Sequence, residues 1–306
     1  MERARVGFAA VVTAALTLSA CGGGGGGGSP DPSVVPTTAL TNWRTDAVAG
    51  AKIHANGIGK QVSYSYECTN TDCSTGKVKT IGTPSGVLSV KSLFFFDTNA
   101  KLELLQPVET QSGFTTTQIS PLAENSRFVT GQSATGRAIV SDPKNTAWNY
   151  QSFGVWESGL GETNRTFGVM SVGATTPASS VPTSGTANFT GNIIGSYVNA
   201  AGEGHAVIAN LSVAANFGTH TLDFTSSGTQ VSKDWDNFTA NSNLNLSGTL
   251  TISTNGTFSG TLTTGTLSGD SNGMFYGPAA QELGGVFYLT NGTLETYAGA
   301  YGASTP

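Results

Sequence analysis

The chain has little charge. Lys, Arg, Asp and Glu make up 11% of its 306 residues, and the net charge is -5. A body so poor in cations carries no basic footprint for nucleic acid. Histidine is scarcer still: His54, His205 and His220 lie far apart, and only His205 has a carboxylate close by in sequence, Glu203. A histidine-dependent catalytic site needs a nucleophile and an orienting carboxylate within reach. No His-Glu-x-x-His helix or phosphate-binding loop is present. The glycine run from Gly22 to Gly28 lacks both the Lys-Ser/Thr ending and the preceding strand of a phosphate cradle. These absences predict no enzyme, no metal and no cofactor. Beyond residue 18 no apolar run reaches membrane-spanning length. Strong helix formers seldom follow one another, whereas Gly, Thr, Ser, Asn and Val abound, a composition that favours strands joined by tight turns.

What is present begins at the N-terminus. Arg3 and Arg5 precede an uncharged stretch from Val6 to Leu18, the n-region and h-region of an export signal. It ends in Leu18-Ser19-Ala20-Cys21, which resembles the lipobox of bacterial lipoproteins. That resemblance implies a signal peptide over 1–20, lipidation of Cys21 and anchoring of the mature chain to a membrane. Several acyl chains hold a protein stably where one does not. Residues 21–36, glycine and then Ser29-Pro30-Asp31-Pro32-Ser33, offer no side chains for a core and read as a tether. The residue after Cys21 is Gly22 where aspartate would signal inner-membrane retention in some bacteria, so the expected destination is the outer membrane, exposed at the cell surface.

Cys68 and Cys73 are then the remaining thiols, flanking polar turn residues. In an oxidising compartment this pair reads as a disulfide closing a hairpin tip.

The body divides at a Pro/Ser-rich joint, 175–184, into an N-terminal region, 37–174, and a C-terminal region, 185–306. In the first, strands are expected over 60–66, 87–96, 148–156 and 167–172, with one or two short helical turns; 101–130 is ambiguous. In the run Phe94-Phe95-Phe96 at least two rings belong to a core. The C-terminal region is more regular, with strands expected over 186–190, 194–198, 207–217, 221–226, 243–253, 257–264, 274–276, 285–290 and 296–302. Between 243 and 264 the register selects the turn. A two-residue Asn-Gly loop would put the apolar sets on opposite faces. A three-residue loop with Gly256 left-handed pairs Ile252 with Phe258, Leu250 with Gly260 and Leu262 with Gly248. Large residues opposite glycine leave room for the strong coiling of a small barrel. The fold class expected is therefore all-β: an eight-stranded antiparallel up-and-down barrel behind a smaller sheet-rich domain.

Several segments carry a resemblance. Ser184-Gly185-Thr186-Ala187-Asn188-Phe189-Thr190-Gly191 followed by Gly195, the stretch from Gly273-Met274-Phe275-Tyr276-Gly277 to Gly285-Val286-Phe287, and Ala298-Gly299-Ala300-Tyr301-Gly302-Ala303 are similar to the barrel domain of transferrin-binding protein B and related surface lipoproteins. Phenylalanine is commoner in that family at the position of Tyr301. Tyr150-Gln151-Ser152-Phe153-Gly154-Val155-Trp156 resembles a segment upstream of the barrel in smaller relatives. The resemblance implies a handle-like N-terminal domain, and a binding role without catalysis. The partners it implies are an extracellular protein ligand, with iron or haem carriers as candidates, and an outer-membrane receptor. Two other readings stay open: a small-molecule carrier using the barrel lumen, and a structural or immune-shielding coat protein.

The candidate binding loop is Lys233-Asp234-Trp235-Asp236-Asn237-Phe238, where aromatic and charged residues share an apparent loop. The competing reading has Trp235 sealing the barrel's end or folding back on the neighbouring domain. Glu203-Gly204-His205 reads as a turn.

Overall fold

Alternating apolar and polar residues make half-buried strands, as in the strands 221–232 and 247–252, whereas 282–290 and 296–304 are buried on both faces. The computed structural model describes residues 37–306 apart from 110–112, 117, 123–124, 145–147, 234 and 236. The signal segment, Cys21 and the tether lie outside the described residues. Residues 36–306 form one compact unit.

The N-terminal strands are β1 (Thr38–Ala39), β2 (Lys52–Cys68), β3 (Gly76–Ile81), β4 (Leu88–Phe96), β5 (Leu102–Gln106), β6 (Gln118–Pro121), β7 (Phe128–Gln132), β8 (Gly136–Ser141), β9 (Gln151–Ser158) and β10 (Asn164–Gly173). One helical turn, α1 (Trp43–Asp46), is capped by the Asn42 side chain. The strands form a single sheet in the order β5-β4-β2-β10-β9-β8-β7-β6, with β1 and β3 paired to β2. A bridge between Leu105 and Thr116 draws its two ends together, so the sheet is nearly closed. The ambiguous segment 101–130 supplies β5, β6 and the start of β7.

Alternate residues of β8, β9 and β10 enter two different cores. Ala138, Val140, Trp156, Met170 and Val172 face the inside of the handle with Phe94 and Phe96. Ile139, Phe153, Val155 and Val169 face outward, against Ile194, Val286, Ala298 and Ala300 of the C-terminal strands. A sheet covered on both sides needs apolar residues at successive positions, which is why β9 is buried along nearly its whole length. All three phenylalanines of 94–96 are buried, and Phe94 meets Trp43 edge-on at 4.9 Å.

The C-terminal strands are β11 (Thr186–Val198), β12 (Gly204–Asn216), β13 (Thr221–Ser232), β14 (Thr239–Ala240), β15 (Ser247–Ile252), β16 (Thr257–Thr263), β17 (Ser268–Tyr276), β18 (Glu282–Thr290) and β19 (Thr296–Ser304). All but the short β14 close into an eight-stranded antiparallel barrel, with neighbours in sequence paired and β11 pairing β19. The expected register holds: Ile252 pairs Phe258, Leu250 pairs Gly260, and Gly256 has φ +80° in the loop.

Several strands are longer than expected: β2 begins at Lys52, β13 runs on to Ser232 and β17 begins at Ser268. The segments 186–190 and 194–198 are one continuous strand. Gly191 is no break but a close approach, since a Cβ there would lie 1.9 Å from the Gly302 carbonyl oxygen. The strand expected from 243 begins at Ser247, because Ser242–Leu244 form a 3-10 turn that tucks Leu244 into the core.

Candidate functional site

The barrel lumen is filled by its own side chains. Phe224 and Tyr301 pack at 5.0 Å, Phe287 and Tyr297 at 4.9 Å, and Phe258 and Phe275 at 5.3 Å, all edge-on. Leu250 and Leu262 occupy the space over Gly260 and Gly248, where any Cβ would touch them at 3.0 Å. Tyr301 keeps its hydroxyl satisfied by Ser271 at 2.9 Å.

A polar seam ties the barrel wall to the handle. Gln151 Nε2 donates to the carbonyls of Leu283 (2.9 Å) and Ala303 (3.1 Å). Ser171 and Tyr276 share a hydrogen bond of 2.9 Å, and Lys60 pairs with Asp270. The Glu282 carboxylate accepts from the backbone N–H of Asn149 (2.5 Å) and Tyr150 (3.1 Å). Its burial pushes the carboxyl up to about 7, against the backbone donors and Arg44, which pull the other way. The joint 175–184 joins this contact. Thr175 bridges Tyr276, and Val181 enters the barrel core against Gly256.

Where the two sheets splay apart, beyond the apolar contact, they leave a cleft of about 710 Å³ on the outside of the barrel. One wall is the handle sheet at β2, β8, β9 and β10, the other the barrel at β11, β12 and β19. Tyr64, Tyr66, Phe167, Trp235 and Tyr288 supply its aromatic surface. The β2–β3 hairpin borders it, its tip closed by the Cys68–Cys73 disulfide with Cα atoms 4.8 Å apart. That hairpin touches the barrel, since the Val78 N–H donates to the Gly202 carbonyl at 2.8 Å. Gly202 has φ +77°, and a Cβ on it would fall 2.2 Å from the Val78 oxygen, so only glycine fits.

In the handle wall stands a group of four polar side chains. Glu157 receives Arg137 Nη2 at 2.7 Å, Arg165 Nη1 at 3.4 Å and the Tyr64 hydroxyl. Arg165 lies 3.8 Å from the Tyr66 ring centroid and also donates to the Cys73 carbonyl. Burial raises the Glu157 carboxyl, but Arg137, the Tyr64 hydroxyl and Arg165 outweigh it and hold the group below its ordinary value. The same burial, with Glu157 beside it, pushes the Tyr64 hydroxyl well up.

The residues singled out from sequence are placed unevenly about this cleft. Lys233 is exposed and pairs with Glu203 at 3.1 Å, across the mouth of the β11–β12 turn. Trp235 is half-buried and packs against the core shared by handle and barrel. Phe238 is half-buried, whereas Asp234 and Asp236 lie outside the described residues. His205 lines the cleft with Nδ1 at 3.2 Å from the Glu203 carbonyl oxygen, His54 is held by Thr37, and His220 sits in the β13 entry turn with φ +57°. Among the described residues no cluster of three or more His, Cys, Asp or Glu is placed to hold a metal, and no helix is long and apolar enough to cross a membrane. Sequence reasoning missed Arg137, Glu157 and Arg165. The signal was there in Glu157 itself, a carboxylate directly after the run Phe153-Gly154-Val155-Trp156 and buried with it.

Residues 181–305 match the model of the C-lobe and N-lobe beta barrels of Tf-binding protein B. Over these residues the chain is similar to the barrels of transferrin-binding protein B. Solved structures similar to it include transferrin binding protein B from serogroup B Neisseria meningitidis, at 18% identity, covering 76% of this chain and 49% of that one, TM-score 0.48. A mutant of the same protein from Haemophilus parasuis Hp5 gives 16% identity, 75% and 47% coverage, and TM-score 0.46. The N-lobe domain of lactoferrin binding protein B of Moraxella bovis gives 12% identity, 80% and 99% coverage, and TM-score 0.37. The chain spans about half the length of the first two. No match is found among the curated proteins.

Proposed function

We propose that the chain is a lipid-anchored protein of the bacterial outer surface, held through Cys21, that binds an extracellular protein without catalysis. The observation that carries this reading is a filled lumen inside a transferrin-binding protein B-like barrel. With the interior occupied by Phe, Leu and Tyr side chains, contact falls to the outer loops and the handle edge. The Cys68–Cys73 hairpin and the loop of Lys233, Trp235 and Phe238 lie on that side. Iron- and haem-carrying proteins are the ligand class to test first, transferrin foremost, since the matched barrel family is that of Tf-binding protein B.

The test uses intact cells displaying the full chain and fluorescent iron-loaded transferrin, lactoferrin and haemoglobin. Saturable labelling by one of them, abolished when Cys21→Ala removes the anchor, supports the reading. Protease that leaves the chain untouched on intact cells, together with no labelling, overturns it.

A further inference from the structure

The cleft between handle and barrel has a charge balance that the protein-binding reading does not use. At its handle wall two guanidinium groups share one carboxylate. Arg165 and Glu157 are 5% and 9% exposed, and Arg137, on the same carboxylate, is 48% exposed. Arg165 is fully engaged: its Nε donates to the Glu162 carbonyl, Nη1 to Glu157 and Nη2 to the Cys73 carbonyl. Arg137 gives Nε and Nη2 to Glu157, with half of its surface open. The trio therefore carries one net positive charge, and the open guanidinium is where it meets the cleft. Among the described residues lining the cleft, the other ionised groups do not cancel it. Lys233 and Glu203 neutralise each other, and exposed Asp72, tied to Ser74, is matched by exposed Lys77. Around this charge the walls are aromatic. Burying a fixed charge beside apolar rings is unfavourable unless an opposite charge arrives, and an arginine fork fits a carboxylate, sulfonate or phosphate.

We propose that this cleft binds a small organic anion with an apolar or aromatic body, its acid group on Arg137 and its body against Tyr64, Phe167, Trp235 and Tyr288. The site is outside the barrel and separate from the filled lumen. It requires neither the lipid anchor nor a protein ligand, so it stands or falls independently of the reading above.

Two fluorescent probes with one aromatic body separate charge from hydrophobicity: anilinonaphthalene sulfonate, and the neutral N-phenylnaphthylamine that lacks the sulfonate. They are titrated into residues 36–306, the compact unit that holds all three cores. The expected result is one sulfonate probe per chain, bound about tenfold or more tighter than the neutral one. Arg137→Gln should abolish that preference. It leaves Glu157 paired with Arg165 and Tyr64, and Arg137→Lys should restore part of the preference. Equal affinity for both probes, or a preference that survives Arg137→Gln, overturns the proposal. Should Arg137→Gln fail to fold, photolabelling of the unmodified protein with an azido derivative of the sulfonate decides the matter. Labels on Tyr64, Tyr66 or Trp235 support the site, and labels confined to other surfaces overturn it.

Discussion

Glu282 is 1% exposed, and its carboxylate takes two backbone N–H groups from the segment leading into β9. A carboxyl raised by burial to about 7 holds its proton more tightly folded than unfolded. Its contribution to stability is full below the ordinary value near 4.5 and is lost as pH rises through about 7. Glu282→Gln copies the protonated form. Urea denaturation should find the variant as stable as the parent at pH 5 and more stable at pH 8, by about 3 kcal/mol at most. Equal destabilisation at both pH values would mean that the two N–H contacts outweigh burial. Residue identity was legible from sequence where a local pattern sets it. Leu250 opposite Gly260 follows from period and turn alone, and Tyr301, tyrosine where the resembling family favours phenylalanine, hydrogen-bonds Ser271 within the barrel. The trio of Arg137, Glu157 and Arg165 was not legible. Tyr64, bonded to the same carboxylate, lies 93 residues from Glu157, and only the pairing of β2, β10, β9 and β8 brings these side chains together.

At the scale of elements, the β2–β3 hairpin links the handle to the barrel. Its disulfide closes a loop with a sequence separation of 5, so replacing both cysteines by serine should cost about 2 kcal/mol in chemical denaturation. Gly202→Ala strikes the other end of the same link. The left-handed backbone and the collision with Val78 should together cost about 2 kcal/mol, read as a lowered melting temperature. No change would show that hairpin and turn are free to separate. The β15–β16 hairpin tests the barrel core. Phe258→Ala removes a ring 1% exposed and should destabilise by about 3–5 kcal/mol, whereas a loss under about 1 kcal/mol would point to a loosely filled lumen. Elements with one face to water were read correctly, as in β15 and β16, because their alternation is clean. The handle strands were harder. Where both faces are covered, as in β9, alternation vanishes and a buried strand looks like any apolar run.

Handle and barrel share one core, with Phe153, Val155 and Val169 on one side and Ile194, Val286 and Ala300 on the other. Calorimetry of residues 36–306 should therefore show a single cooperative transition, and Val155→Asp should lower it without splitting it. Two resolved transitions would make the halves thermodynamically independent. Which faces of the two sheets meet was not visible in sequence, since most of the contacts run between strands more than a hundred residues apart, as from Gln151 to Ala303. The pairing of β11 with β19 has a temporal consequence. β19 fills the lumen with Tyr297 and Tyr301, lays Ala298 and Ala300 against the handle, and hydrogen-bonds both its neighbours. Until β19 has emerged from the ribosome, β11 has an unpaired edge, the lumen is short of two rings and the handle lacks part of its floor. Contacts so distant in sequence form slowly. A barrel whose keystone follows all its other strands stays open until every one of them has been made.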